Sequence, residues 1–252
     1  MPPHEAARTT TRSQPVKAIV WDIDDTLFDY ATADTAGLRA HLTAEGLLDS
    51  FGTAEQALVR WKALTREHWA RFEAGETDWE SQRRDRVRAF VGQVLDDAAA
   101  DAWFTRYLGH YEAAWALFPD TVPVLDALAR THRHAVLSNS SLHNQERKLR
   151  VLGVRDRFEA LLCAAELGVA KPDAAAFHAV CDALGLAPHE VAYVGDQPDT
   201  DARGAVEAGL TGIWLDRTGI GGRPELVRIT SLDQLPPLLA RDTRFGAPET
   251  FG

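Results

Sequence analysis

From Pro119 onward the chain alternates short apolar runs with stretches of helical spacing, and this alternation is its strongest constraint. Val122–Arg130 reads as a helix, His134–Leu137 as a strand, His143–Leu152 as a helix and Ala160–Cys163 as a strand. Helix Asp173–Leu184, strand Glu190–Val194, helix Thr200–Ala208, strand Gly212–Leu215 and helix Ser231–Leu239 follow. An earlier run, Lys17–Trp21, is a further buried strand. Strands joined through helices need right-handed crossovers. The expected fold class is therefore α/β, a doubly wound parallel sheet covered on both faces. Such sheets bind ligands at the carboxyl ends of their strands. Three runs end there in polar residues: Asp22, Ser138-Asn139 and Asp196.

Residues 34–117 have a different texture. They are rich in Ala, Arg, Glu and Leu, lack proline, and hold five of the seven tryptophans (61, 69, 79, 103 and 115). Trp61, Leu64, His68 and Phe72 recur at helical spacing. The expected organisation is a tail over 1–15, a Rossmann-like core over 16–30 and 118–242, an all-helical block over 31–117, and a tail over 243–252. The tryptophans of this block are expected mainly to pack helix on helix.

Composition narrows the function classes. The 252 residues are 45% hydrophobic and 25% charged, which argues against general disorder. The net charge of −10 disfavours nucleic acid and anionic membranes as partners. No apolar run approaches the roughly 20 residues of a membrane span. Met1–Gln14 is polar, and two cysteines make no disulfide framework. The expectation is a cytoplasmic protein, a monomer or homodimer. Cys163 and Cys181 read as small core residues, and His132 and His134 as structural.

Four features carry chemistry. Asp22 and Asp24 follow the first strand, and two carboxylates so placed need a sharp turn and a neutralising cation. An acidic turn capped by Thr26 is the plainer alternative. Ser138 and Asn139 can hydrogen-bond an oxyanion, or cap a helix. Lys171, one of only four lysines, stands before Pro172, which suits a first helical turn. It can neutralise carboxylates and bind phosphoryl oxygen, or lie in solvent. Asp196 and Asp201 offer hard oxygen ligands suited to magnesium, or an ordinary acidic first turn.

In this order, at one sheet edge, the four resemble the motifs of the haloacid dehalogenase-like hydrolase superfamily. Those motifs are Asp-x-Asp-x-Thr, Ser/Thr, Lys, and Gly-Asp-x4-Asp, and the likeness spans about residues 17–240. The helical stretch sits where that family carries its C1-type cap, with Phe28-Asp29-Tyr30 in the flap before it. The stretches GVAKPD, VGDQPDTD and AGLTGIWLDR are most similar to the subfamily containing pyrimidine 5′-nucleotidases and N-acylneuraminate 9-phosphatases.

The resemblance implies a magnesium-dependent phosphomonoesterase acting on a small phosphorylated metabolite, a nucleotide or sugar phosphate. It implies Asp22 as nucleophile and Asp24 as acid and base. Mg2+ would sit on Asp22, the Asp24 carbonyl and Asp196. Ser138, Asn139 and Lys171 would hold the phosphoryl group, Asp201 would support Lys171 or the metal's waters, and Thr26 would brace the turn. Among Arg83, Arg84, Arg86 and Arg88, Arg86 best fits an arginine of similar caps and is the candidate substrate contact. A 2-haloacid dehalogenase and a phosphomutase remain alternatives, although Asp24 and Asp196 favour the phosphatase. A phosphonatase would need a cap Schiff-base lysine, for which Lys62 is poorly placed. A phospho-receiver module would be shorter and lack the insertion.

Overall fold

The computed structural model describes residues 15–241. Apart from Pro15, the expected tails lie outside the described residues. The chain divides into two compact units, Asp29–Ala116 and the segments on either side of it.

In the flanking unit, β1 (Ala18–Trp21) is followed after the insertion by α-helix Thr121–Leu128 and β2 (Arg133–Ser138). Helix Leu142–Val151, β3 (Ala160–Cys163), a short turn of helix at Ala164–Leu167 and helix Ala174–Leu184 come next. Then follow β4 (Val191–Gly195), a π-helical turn Pro198–Arg203, β5 (Thr211–Leu215), β6 (Val227–Ile229) and a last helix Leu235–Arg241. The sheet is six-stranded and wholly parallel, in the order β3-β2-β1-β4-β5-β6. Helices cover both sides, as the alternation requires.

All four residues of β1 are buried, so both of its faces are covered. Ala18 and Val20 join Ala135, Leu137 and Tyr193 in a core with Phe177 and Val180 of helix Ala174–Leu184. Ile19 and Trp21 take the other face by the period of two. There Trp21 Nε1 donates to Nδ1 of the buried His134 at 3.0 Å. His134 is thus structural, as expected. Burying such a side chain contributes about 1.5–3 kcal/mol, so β1 anchors the loop that follows it. Strand order reverses beside β1, where its neighbours are β2 and β4. The open crevice at their carboxyl ends is where such a sheet takes its ligand.

The sixth strand was not expected. It has three residues, too few to show a periodicity. Pro172 also departs from expectation: Asp173 accepts from Ala175 N at 2.8 Å and caps the helix, leaving Pro172 outside the first turn. The Lys171–Pro172 peptide is cis.

The insertion unit is all helical: Tyr30–Ala44, Ala54–Glu73, Trp79–Val91 and Asp97–Ala113. Side chains of Asp29, Thr53, Asp78 and Asp96 cap the four N-termini. Asp29 and Tyr30 thus begin a helix rather than a flap. Trp61 packs on Phe90 and Trp103, with ring centroids 5.1 and 5.5 Å apart, so these rings build core.

Candidate active site

After Trp21 the backbone leaves β1 through Asp22, whose N–H donates to Val194 O at 2.9 Å. The amides of Thr26, Leu27 and Phe28 then converge on the carbonyl of Ile23, at 3.2, 2.9 and 2.9 Å. Asp25 takes a left-handed φ of 60°, which aspartate tolerates better than most residues. This is the sharp turn that two neighbouring carboxylates need. Phe28 is buried, bridged in parallel to Asp24 and antiparallel to Leu117. Thr26 Oγ1 is buried without a hydrogen-bond partner among the described residues. The turn is braced through its backbone instead: Arg217 donates to Thr26 O at 2.7 Å. Arg217 also pairs with Asp120 at 3.0 Å and lies over the Phe118 ring. Sequence reading missed Arg217, because an arginine after β5 carries no local sign of its reach.

Lys171 organises the site. Its Nζ lies 2.7 Å from Asp22 Oδ1, 2.7 Å from Asp201 Oδ1 and 2.6 Å from the Tyr193 hydroxyl. Tyr193 in turn donates to Leu137 O at 2.9 Å. Burial works against the ammonium, but Asp201 and Asp22 beside it hold its pKa well above the ordinary lysine value. Tyr193 was also missed; inside β4 it reads as an ordinary strand aromatic. Asn139, expected to hold the phosphoryl group, instead turns both ends of its side-chain amide to the backbone of Lys171. Its Nδ2 donates to Lys171 O at 2.9 Å, and its Oδ1 accepts from Lys171 N at 2.8 Å. It fixes the backbone that carries the ammonium.

The loop after β4 brings the remaining acids. Asp201 engages both oxygens, one with Lys171 and the other with Gln197 N at 3.0 Å. Asp196 accepts from Gln197 Nε2 at 2.6 Å, and its carbonyl accepts from Trp214 Nε1 at 2.9 Å. Ligand oxygens of Asp22, Asp196 and Asp201 lie within 4.8 Å of one another. Burial, then the neighbouring acids, push Asp196 up to about 8. Burial also raises Asp22 to about 7, against the pull of Lys171. One ammonium does not neutralise this set. Hard, closely spaced carboxyl oxygens fit a divalent cation such as Mg2+.

Asp24 faces another partner pair. Its Oδ2 accepts from Gln145 Nε2 at 2.8 Å, and that amide also lies 3.0 Å from Ser138 Oγ. Its Oδ1 forms an ion pair with Lys148. Gln145 and Lys148 sit three residues apart on helix Leu142–Val151, hence on one face. Neither was expected here, although the scarcity of lysine was a signal for Lys148. The structure thus gathers Asp22, Asp24, Ser138, Lys171, Asp196 and Asp201 at one sheet edge.

Arg86 belongs to the insertion unit. It is buried, lies over the Trp61 and Phe104 rings at 4.7 and 5.1 Å, and donates to Thr65 Oγ1 at 3.3 Å. It has no ion pair among the described residues, and burial lowers its pKa. By contrast Arg84 pairs with Asp97 and Asp101, and Arg88 with Asp85 and Asp97.

A family model, "Hydrolase: haloacid dehalogenase-like hydrolase", matches residues 16–209. The chain belongs to the haloacid dehalogenase-like hydrolase family. It is an enzyme of that family with phosphatase relatives. Phosphoserine phosphatase of Thermus thermophilus is 29% identical over 83% of this chain and 91% of its own. N-acylneuraminate-9-phosphatase of Rattus norvegicus is 27% identical over 81% and 84%. The family likeness also reaches (S)-2-haloacid dehalogenase 1 of a Pseudomonas species, 27% identical over 91% and 99%. Among solved structures, the putative hydrolase YfnB of Bacillus subtilis, bound to magnesium, superposes with a TM-score of 0.74 at 20% identity, over 90% of this chain and 99% of that one. That likeness shows the fold. Among the described residues no helix is long and apolar enough to cross a membrane.

Proposed function

We propose that this family member is a phosphomonoesterase working through an aspartyl phosphate on a small phosphorylated metabolite. The observation that carries this is Asp24, a second carboxyl held at the same edge as Asp22 by two donors of its own. Displacement of halide from carbon needs no acid for the leaving group, whereas an ester oxygen does.

In the proposed sequence an oxygen of Asp22 attacks phosphorus while the bond from phosphorus to the ester oxygen breaks. Asp24 gives its proton to that oxygen. Asp24 then takes a proton from water as the water attacks the acyl phosphate, and Asp22 departs as a carboxylate. Lys171 and Ser138 hold the phosphoryl oxygens, and Asn139, Tyr193 and Asp201 keep the ammonium in place. The carboxylates of Asp22 and Asp196 and the carbonyl of Asp24 would hold Mg2+, with Asp201 behind them. Such a cation, when bound, neutralises the charge that gathers on the phosphoryl group. Arg86, buried with no ion pair among the described residues, is the proposed substrate contact of the helical unit.

The test is a phosphate-ester screen with and without Mg2+, joined to trapping of the intermediate. Asp24→Asn with p-nitrophenyl phosphate should release a burst of one product equivalent and then stall, carrying about 80 Da on Asp22. Asp22→Asn should show neither. Halide release from 2-chloropropionate, with no phosphatase activity, would instead support a dehalogenase.

A further inference from the structure

Lys148 is a nearly buried ammonium, with 8% of its side chain exposed, and the carboxylate it reaches is Asp24. Its Nζ also lies 4.5 Å from the centre of the Phe28 ring, so one side of the charge is closed by an aromatic face. Removing such a charge from water is unfavourable unless a partner is held against it. The pair is therefore firmly oriented, and the helix carrying Lys148 and the buried Gln145 is fixed by the burial of Leu149.

The two oxygens of Asp24 are not equivalent. Oδ1 is the oxygen that faces the ammonium. Oδ2 holds an amide hydrogen bond from a nitrogen that also lies beside Ser138 Oγ. A hydrogen bond from a neutral, shared donor yields to a competing group more readily than an ion pair in which both partners are charged.

We infer that Lys148 is a positioning residue for the acid–base carboxyl: it anchors Oδ1 of Asp24 so that Oδ2 is the oxygen that exchanges protons with leaving group and water. This rests on the phosphomonoesterase reading, and specifically on the role given to Asp24. When substrate enters, Gln145 keeps Ser138 and releases Oδ2, while Lys148 stays on Oδ1. The carboxyl then meets the ester oxygen already oriented. Loss of the anchor lets the carboxyl rotate, and a misplacement of about 1 Å is worth on the order of a hundredfold in rate.

The experiment uses the Mg2+-loaded enzyme and a graded series of aryl phosphates from p-nitrophenyl phosphate to phenyl phosphate. Poorer leaving groups depend more on protonation. Lys148→Met should lower kcat for phenyl phosphate by about 10–100-fold and the burst rate with p-nitrophenyl phosphate by less than about threefold, with KM little changed. Lys148→Arg should restore most of the loss, because it returns a cation to Oδ1. If Lys148→Met does not fold, Lys148→Gln keeps an uncharged donor and should fall between.

Equal losses across the series, or wild-type behaviour of both Lys148→Met and Lys148→Gln, would overturn the role of Lys148. Asp24→Asn in parallel separates the two readings. If it too lacks a loss that depends on the leaving group, the acid–base role itself falls. If it shows that loss and the Lys148 variants do not, only the positioning role falls.

Discussion

A Cβ placed on Gly195 would stand 2.3 Å from Oδ2 of Asp201. The last residue of β4 is thus bare because Asp201 folds back against it to reach both Gln197 N and Lys171 Nζ. Gly195→Ala should therefore push Asp201 off Lys171. The expected loss is about 1–3 kcal/mol of stability and on the order of a hundredfold in kcat, read by denaturant unfolding and steady-state kinetics. A wild-type rate would show that Asp201 is not needed to hold the ammonium.

Tyr193→Phe removes the hydroxyl that links Lys171 to Leu137 O. It leaves a buried carbonyl without its donor, at a cost of about 1–2 kcal/mol. Asp22 and Asp201 still hold the ammonium, so kcat should fall by no more than about tenfold, well short of Lys171→Met. An unchanged unfolding midpoint would mean that water or a neighbour takes the place of the hydroxyl.

The clustered acids predict a pH dependence for the metal-free protein. Asp22 and Asp196 are raised to about 7 and about 8, from an ordinary value of 3.8. A carboxyl raised in the folded state favours folding below its unfolded value, and that contribution is lost as pH climbs through the folded value. His41 and His134 are lowered to about 4 by burial, so their contribution is complete above 6.5 and fades below it. In EDTA, Tm should consequently fall from about pH 6.5 to about pH 9, where the histidines no longer interfere. Mg2+ at about a hundredfold excess over its Kd should restore roughly 2–3 kcal/mol, or about 5–10 °C for a chain of this size. A flat metal-free profile with no response to Mg2+ would remove the metal reading.

Arg86→Ala separates recognition from scaffold. Against the best substrate found in a phosphate-ester screen, KM should rise by about tenfold or more, and for p-nitrophenyl phosphate by less than about threefold. The lost stacking on Trp61 and Phe104 should also lower Tm. A fall in Tm with equal changes in both KM values would leave Arg86 as packing alone.

The alternation of apolar runs and helical spacing determined the parallel α/β sheet, because each such run can bury both faces only between helices. The proline-free, tryptophan-rich stretch likewise determined an all-helical insertion, through caps such as Thr53 that act locally and through apolar residues recurring at helical spacing. Asp22, Ser138 and Asp196 were legible because each lies at or beside the end of an apolar run, and the ends of parallel strands share one edge; Lys171 was legible because lysine is scarce in this chain. Tertiary structure alone decided the rest. Tyr193, Lys148 and Arg217 reach their partners across 22, 124 and 191 positions of sequence. No local pattern records a contact made over such a span, because the fold and not the chain brings the two ends within hydrogen-bond distance. Asn139 shows the same limit from the other side. Its place at the strand end was readable, but its turn toward the backbone of Lys171 depended on where the chain 32 residues later came to lie.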